Sequence, residues 1–223
     1  MSSFTPKYIT FDCYGTLTSF RMAAMTREIF SDRIPIEKME QFVKDFAAYR
    51  LDEVLGAWQP YQDVVCNALQ RACKHWKLKF NDNEALSYYE AVPTWGPHPD
   101  VPEGLSKIAG KIPLVILSNA SDDQIQHNVD KLGAPFAHVF TAQQAQAYKP
   151  RLQAFEYMFD QLGCGPAEMM HVSSSFRYDH MSAADLGYGA RVLVNRNHEP
   201  SLMPYYATHE IKDIGGLPGL LGM

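Results

Sequence analysis

The stretch that decides the fold is KYITFDCYGTL, residues 7–17. Residues 8–11 are β-formers, so they predict a buried strand. Asp12 follows at the tip of that strand, and Gly15 marks a tight turn directly after it. By itself, an acid in this position is more typical of a turn residue or a helix cap. Whether Asp12 has a catalytic role therefore depends on which residues from other segments lie near it.

The bulk properties predict an ordinary folded protein. The chain has 223 residues, of which 46% are hydrophobic, enough to bury a sizeable core. Its net charge is −5, and its 20 Lys and Arg residues form no basic block, so no nucleic-acid partner is expected. No apolar run reaches the roughly 18 residues of a membrane span, and no signal segment is evident. The cysteines show no CxxC spacing and no disulfide framework, which is typical of an intracellular protein. We therefore predict a cytoplasmic protein with no membrane partner.

Helical patterns fill the chain between about residues 22 and 89. Apolar residues recur at helical spacing in MEQFVKDFAAYRLDEVL, YQDVVCNALQRACKHWKL and EALSYYEAV. The block ends in VPTWGPHPDVPEG, whose prolines and glycines mark a boundary. We therefore predict a helical domain over residues 18–96.

Strand and helix patterns alternate after that boundary. IPLVILSN, HVFTA, EMMHVSS and ARVLVN predict strands, with ARVLVN as the last strand and the tail IKDIGGLPGLLGM as a short strand or turn. Such alternation predicts a parallel sheet with right-handed crossovers. The predicted fold is α/β, with a Rossmann-like parallel sheet core, residues 1–17 and 97–223, and a helical domain inserted after the first strand.

Three further segments carry polar side chains at the ends of predicted strands: Ser118-Asn119, Tyr148-Lys149-Pro150 and the loop 173–179. Each has an ordinary explanation on its own, namely a helix cap, a solvated lysine and a loop acid that caps the next helix. Open α/β sheets bind ligands at the carboxyl ends of their strands. Together with Asp12, the three segments therefore predict a functional site.

In this order, the four segments resemble the four motifs of the haloacid dehalogenase superfamily. The motifs are DxxGT from Asp12 to Thr16, the strand-end Ser118, Lys149 before a proline, and a loop that carries Asp179. The resemblance covers nearly the whole chain. It also implies a helical cap domain inserted after the first motif, where the helical block lies.

Within this superfamily, two positions indicate the type of reaction. Phosphatases carry a second Asp two residues after the nucleophile, where this chain has Tyr14. A halide leaves as a stable anion and needs no proton, so Tyr14 fits carbon–halogen cleavage better. Phosphatases also bind Mg²⁺ through an acidic fourth motif, where this chain has Ser173-Ser174. The chain is thus similar to the type II (L-)2-haloacid dehalogenases, which use no metal or other cofactor, and its expected substrate is a small 2-haloacid.

The resemblance implies a role for each catalytic residue. Asp12 is the nucleophile that forms an ester at C2 of the haloacid. Thr16 and Lys149 hold its carboxylate and balance its charge. Asp179, assisted by Ser174, orients or deprotonates the water that hydrolyses the ester.

Binding roles follow from the same resemblance. Ser118 and the backbone N–H groups of Cys13 and Tyr14 bind the substrate carboxylate, while Asn119 and an arginine of the cap cradle the departing halide.

The halide-binding arginine is expected to be Arg50, with Arg21 and Arg27 as alternatives nearer to the first motif. Two residues depart from the family pattern: Phe155 replaces a usual Tyr, and Phe176 replaces a usual Asn. The histidines show no metal-binding spacing and are interpreted as structural or surface residues.

Two other functions stay open on the sequence. One is a Mg²⁺-dependent phosphatase or phosphonatase-like enzyme with Tyr14 in place of the acid. The other is a weakly active binding or regulatory member, which Phe155 and Phe176 would favour. The apolar tail and the helical cap also permit a homodimer.

Overall fold

The computed structural model describes residues 4–197 and 205–223. The chain divides into two compact units, one of Met1–Ser19 with Gly96–Met223 and the other of Phe20–Trp95. These limits differ by one or two residues from the domain limits expected from the sequence. The expected core also contains residues 1–3 and 198–204, which lie outside the described residues. The roles of the two units as catalytic core and cap stay predictions.

The helical unit is described throughout, and its α-helices are α1 Met22–Ile29, α2 Ile36–Leu55, α3 Tyr61–His75 and α4 Asp82–Ala91. Asn81 caps α4, because its side chain accepts a hydrogen bond from the N–H of Asn83. Aromatic rings join the helices, with the ring centroids of Phe30 and Phe42 lying 4.6 Å apart. Each buried aromatic side chain contributes about 1.5–3 kcal/mol to the stability of such a unit.

The other unit contains a parallel sheet, whose strands in the described residues are β1 Tyr8–Phe11, β2 Leu114–Ser118, β3 His138–Thr141, β4 Met169–Ser173, β5 Ala190–Val194 and β6 His209–Ile211. Their order is β3-β2-β1-β4-β5-β6, and every pairing is parallel. The strand order reverses at β1, which lies between β2 and β4. In such a sheet the carboxyl ends on the two sides of the reversal border the ligand-binding crevice.

The α-helices of this unit are α5 Val101–Ser106, α6 Asp122–Val129, α7 Ala142–Ala145, α8 Leu152–Leu162, α9 Met181–Asp185 and α10 Leu217–Leu220. Gly163 ends α8 in the left-handed region at φ 61°, a conformation that favours glycine. The helix begins at Leu152, two residues after Pro150. None of the helices in the described ranges is long and apolar enough to span a membrane.

Successive residues of β2 enter two different hydrophobic clusters. Leu114 and Ile116 pack in one cluster, whereas Val115 and Leu117 pack in the other. Side chains alternate between the faces of a strand, so both faces of this strand are buried. This explains why its sequence is a continuous apolar run.

The prediction that ARVLVN is the last strand was wrong, because β6 pairs with β5 beyond it. Val192 aligns with His209 and Val194 with Ile211. The strand is only three residues long, and two of them are exposed. A short edge strand of this kind carries no apolar periodicity for a sequence pattern to detect.

Candidate active site

The turn after β1 fixes the backbone position of Asp12. The N–H of Asp12 donates to the carbonyl of Val172 in the neighbouring strand over 3.1 Å. The N–H groups of Leu17 and Thr18 both donate to the carbonyl of Cys13. Gly15 has φ 95°, a conformation that favours glycine and allows the chain to reverse here. The turn therefore holds Asp12 at the carboxyl end of the central strand.

Two side chains bind the Asp12 carboxylate, one on each oxygen. Lys149 Nζ donates to Oδ1 over 2.9 Å, and Thr16 Oγ1 donates to Oδ2 over 2.7 Å. Burial raises the pKa of Asp12; the Lys149 ammonium opposes the rise, and the Asp179 carboxylate adds to it. Two donors thus hold the carboxylate in a buried site, and burial outweighs their lowering effect on its pKa.

Lys149 reaches this site from the segment that follows α7. Its side chain is 1% exposed, and Nζ also donates to Asp179 Oδ1 over 2.7 Å. Burial alone would lower the pKa of Lys149, but the carboxylates of Asp12 and Asp179 raise it above its ordinary value. The ammonium is therefore a permanent positive charge between two carboxylates.

Asn119 holds the backbone of Lys149. Its Nδ2 donates to the Lys149 carbonyl over 2.8 Å, and its Oδ1 accepts from the Lys149 N–H over 2.7 Å. The expected role of Asn119 is to cradle a halide. The second N–H of the same amide remains chemically able to do so, and that role stays a prediction.

Asp179 lies in the π-helical turn Phe176–His180 and is fully buried. Ser175, rather than Asp179, caps this segment, since its side chain accepts from the N–H of Tyr178 over 3.2 Å. Burial alone would raise the pKa of Asp179, yet the Lys149 ammonium and the His171 ring N–H hold it well below its ordinary range. These two donors therefore favour the ionised form of Asp179.

Thr16 connects the first and fourth sequence motifs. Its hydroxyl oxygen accepts from the N–H of Ser174 over 2.8 Å and lies 3.2 Å from the Ser174 hydroxyl oxygen. With its proton directed at Asp12, the Thr16 hydroxyl joins β1 and β4 at the point where the site forms.

Ser118 ends β2 with its hydroxyl buried. Its Oγ has no hydrogen-bond partner among the residues that the structure describes. A buried hydroxyl without a partner costs stability, so such groups in a native protein require an explanation. A ligand oxygen would supply the missing partner.

The two residues after Asp12 have different environments. Cys13 is buried, and burial raises the pKa of its thiol to about 12, which excludes a thiolate at neutral pH. Tyr14 is partly buried and donates its hydroxyl proton to Asn128 Oδ1 over 2.8 Å. Their expected contribution, the backbone N–H groups, stays a prediction.

Arg50 belongs to the helical unit, on α2. Its guanidinium lies 5.0 Å from the ring centroid of Phe46 and 5.3 Å from that of Phe20, and it hydrogen-bonds Tyr61. Arginine on aromatic rings is a cation–π arrangement. Arg27, an alternative, pairs instead with Glu40 on the surface. Halide binding by Arg50 stays a prediction.

Two residues near the site escaped the sequence analysis. His171 was interpreted as structural or surface, but its Nε2 lies 2.9 Å from Asp179 Oδ1. Arg196 donates from Nη2 to the carbonyl of Thr16 over 3.0 Å and binds Asp100 with both Nη atoms. A polar residue inside the apolar strand EMMHVSS was the available signal for His171. Arg196 follows β5 at a distance of two residues and gave no such signal.

The donor set does not fit a magnesium ion. Within residues 4–197 and 205–223, no group of three or more His, Cys, Asp or Glu side chains is arranged to hold a metal. The two carboxylates of the site instead share the Lys149 ammonium. Mg²⁺ requires an octahedral shell of oxygen ligands, and Lys149 Nζ already binds one oxygen of each carboxylate, Oδ1 of Asp12 and Oδ1 of Asp179.

Comparison with known proteins places the chain among related sequences and structures. The family model described as haloacid dehalogenase-like hydrolase matches residues 6–187. (S)-2-haloacid dehalogenase 2 of Pseudomonas sp. (strain CBS-3) is 25% identical over 96% of this chain and 94% of its own. A solved dehalogenase with an intermediate complex has a TM-score of 0.81 at 22% identity, covering 98% of both chains. The L-2-haloacid dehalogenase from Xanthobacter autotrophicus with chloropropionic acid covalently bound has a TM-score of 0.77 at 20% identity, covering 98% of this chain and 99% of its own.

Proposed function

Because the chain belongs to the haloacid dehalogenase-like hydrolase family, we propose that it hydrolyses small 2-haloacids to 2-hydroxy acids through a covalent ester on Asp12. A relative along nearly the whole chain is named a (S)-2-haloacid dehalogenase, which supports this substrate class. A cytoplasmic location and a homodimer also remain proposals.

The observation that carries the proposal is the environment of Tyr14. Cleavage of a phosphate ester needs an acid that protonates the leaving oxygen, whereas a halide leaves without a proton. The position two residues after Asp12 holds a phenol whose proton is directed at Asn128. This arrangement supports a leaving group that needs no protonation.

In the first step, an oxygen of the Asp12 carboxylate attacks C2 of the haloacid. The carbon–oxygen bond forms as the carbon–halogen bond breaks, and the halide departs with the bonding electrons. The Ser118 hydroxyl, which has no hydrogen-bond partner within the described ranges, suits the substrate carboxylate. Thr16 and Lys149 hold Asp12 in position for the attack.

In the second step, water attacks the carbonyl carbon of the ester. The 2-hydroxy acid leaves with an oxygen that came from Asp12 and with one proton of the water. The oxygen of the water remains in the restored carboxylate, and the second proton passes to solvent. Lys149 and Thr16 stabilise the negative charge that develops on the carbonyl oxygen. Asp179 orients the water, since a carboxylate with so low a pKa is a weak base.

No step of this mechanism requires a metal ion or another cofactor. The positive charge that balances Asp12 and Asp179 is the Lys149 ammonium.

The test is a halide-release assay in the presence of EDTA, with chloroacetate, bromoacetate and both enantiomers of 2-chloropropionate. We expect halide release with wild-type protein and none with the Asp12→Asn variant. A generic phosphate ester serves as the comparison substrate. Phosphate release that EDTA abolishes, without halide release from any haloacid, would contradict the proposal.

A further inference from the structure

His171 is a buried polar residue that the mechanism above does not use. It lies in β4, directly beside Thr10 of β1 in the sheet register, and its side chain is fully buried. Its Nε2 lies 2.9 Å from Asp179 Oδ1, and its Nδ1 lies 2.8 Å from Thr10 Oγ1. A buried imidazole with both nitrogens bonded has a single orientation.

The carboxylate determines which nitrogen carries a proton. Asp179 is ionised and therefore only accepts hydrogen bonds, so Nε2 of His171 must donate to it. On the other side of the ring, Thr10 fixes Nδ1. The rings of Phe155 and Tyr188 pack against the imidazole at centroid distances of 5.9 Å and 5.4 Å. Phe155, a departure from the family pattern, therefore supports this ring.

Both donors to Asp179 bind the same oxygen. Lys149 Nζ and His171 Nε2 approach Oδ1 at 2.7 Å and 2.9 Å. Oδ2 is buried and has no hydrogen-bond partner in the part of the chain that the structure describes. The carboxylate is thus fixed through one oxygen, while the other keeps its lone pairs for a further donor.

We propose that His171 is a positioning residue for the hydrolytic half of the reaction, holding Asp179 so that Oδ2 accepts a hydrogen bond from the attacking water. This inference rests on the proposed function. Among the described residues, the His171 ring hydrogen-bonds Thr10 and Asp179 and makes no hydrogen bond to Asp12 or Lys149, so its loss should slow hydrolysis of the ester more than its formation.

The test measures the two steps separately for wild type and for His171→Phe, which retains the bulk of the ring and removes its N–H. Rapid mixing with excess haloacid reports halide release, and mass spectrometry of acid-quenched protein reports the ester on Asp12. For His171→Phe we expect a burst of halide equal to the enzyme concentration, then turnover slowed by about 10- to 100-fold, with the ester accumulating.

Three further variants separate positioning from packing. His171→Gln retains an N–H that can reach Asp179 and should restore part of the hydrolysis rate. Thr10→Val removes the contact at Nδ1 and should slow hydrolysis in the same direction, but less. Phe155→Leu loosens the packing of the ring but retains its N–H, so it should lower stability with much less ester accumulation than His171→Phe.

Each result distinguishes the inference from the proposed function. Equal slowing of ester formation and hydrolysis in folded His171→Phe, or no rescue by His171→Gln, would overturn the inference while wild-type halide release upheld the function. If His171→Phe failed to fold, Thr10→Val would carry the test. Ester accumulation in Thr10→Val would support the inference, and its absence there would overturn it. No halide release by wild type would overturn both.

Discussion

The ammonium of Lys149 donates a 2.9 Å hydrogen bond to Oδ1 of Asp12 across 137 positions of sequence, and both side chains are buried. Ion pairs on a protein surface contribute little because water screens them. This pair is different, since removal of one partner leaves an uncompensated charge in a medium of low polarity. The charge balance of the site therefore depends on a single lysine.

Replacing Lys149 by Met should destabilise the fold as well as abolish turnover. Two buried carboxylates lose their shared cation, so we expect the free energy of unfolding to fall by about 3–5 kcal/mol. Denaturant unfolding measures the loss. In the double variant Lys149→Met/Asp179→Asn, one of the two negative charges is also removed. Its destabilisation should be smaller than the sum of the two single losses, and additivity would contradict a shared charge balance.

Isotope labelling should identify Asp12 as the covalent residue. In a single turnover in heavy-oxygen water, the label should enter the Asp12 carboxylate, and the hydroxy acid should stay unlabelled. Mass spectrometry of the peptide that contains residue 12 measures the incorporation. Label that appears in the product on the first turnover would mean direct attack of water on the substrate, and would exclude the ester.

The rate of the first halide release should decrease on acidification. The decrease should occur at a higher pH than for an ordinary aspartate, whose pKa is about 3.9. Only the ionised Asp12 attacks, and burial together with Asp179 raises its pKa. As the pH falls through this raised pKa, the fraction of protein with an ionised, reactive Asp12 decreases. The Asp179→Asn variant removes one of the raising causes, so its acid limb should move to lower pH. An unchanged limb in this variant would assign the titration to another group.

Replacing Ser118 by Ala should weaken substrate binding with little effect on stability. Its Oγ bonds no group among the described residues, so the free energy of unfolding should change by less than about 0.5 kcal/mol. If Oγ binds the substrate carboxylate, KM should rise about tenfold. Ser182→Ala is the matched control, because Ser182 Oγ donates to the carbonyl of Pro150 over 2.6 Å. It should cost about 1 kcal/mol of stability and leave KM unchanged.

Arg196→Gln should loosen the turn that carries Thr16. Arg196 donates to the Thr16 carbonyl and makes a two-pronged ion pair with Asp100, whose Oδ2 also accepts from the N–H of Ile214. Loss of these charged hydrogen bonds should lower the free energy of unfolding by about 2 kcal/mol and reduce kcat. Arg27→Gln, which breaks only the exposed pair with Glu40, should change both quantities much less. Equal effects would contradict this role of Arg196.

The sequence by itself determined the α/β fold class and the positions of the strands that carry the site. Apolar runs followed by polar residues are local patterns in the sequence. Because the carboxyl ends of parallel strands lie at one edge of the sheet, these patterns predict that the polar residues at the strand ends lie near one another. That reasoning brought Asp12, Ser118, Lys149 and Asp179 to the same edge, where the structure has them. It missed β6, because a three-residue edge strand with exposed side chains has no apolar period.

Only the tertiary structure decided which atoms meet. Nothing in the pattern of EMMHVSS distinguishes a histidine that bonds Asp179 from one that fills a core. Nor does the pattern show that Asn119 grips the backbone of Lys149, or that Arg196 holds the Thr16 carbonyl. These contacts depend on strand register and on side-chain direction to within an ångström, and hydrogen bonds weaken steeply outside that range. Sequence periodicity predicts which face of a strand is buried and where the strand ends. The chemistry of Asp12 depends on the distances between side-chain atoms, and only the packing of the sheet determines these.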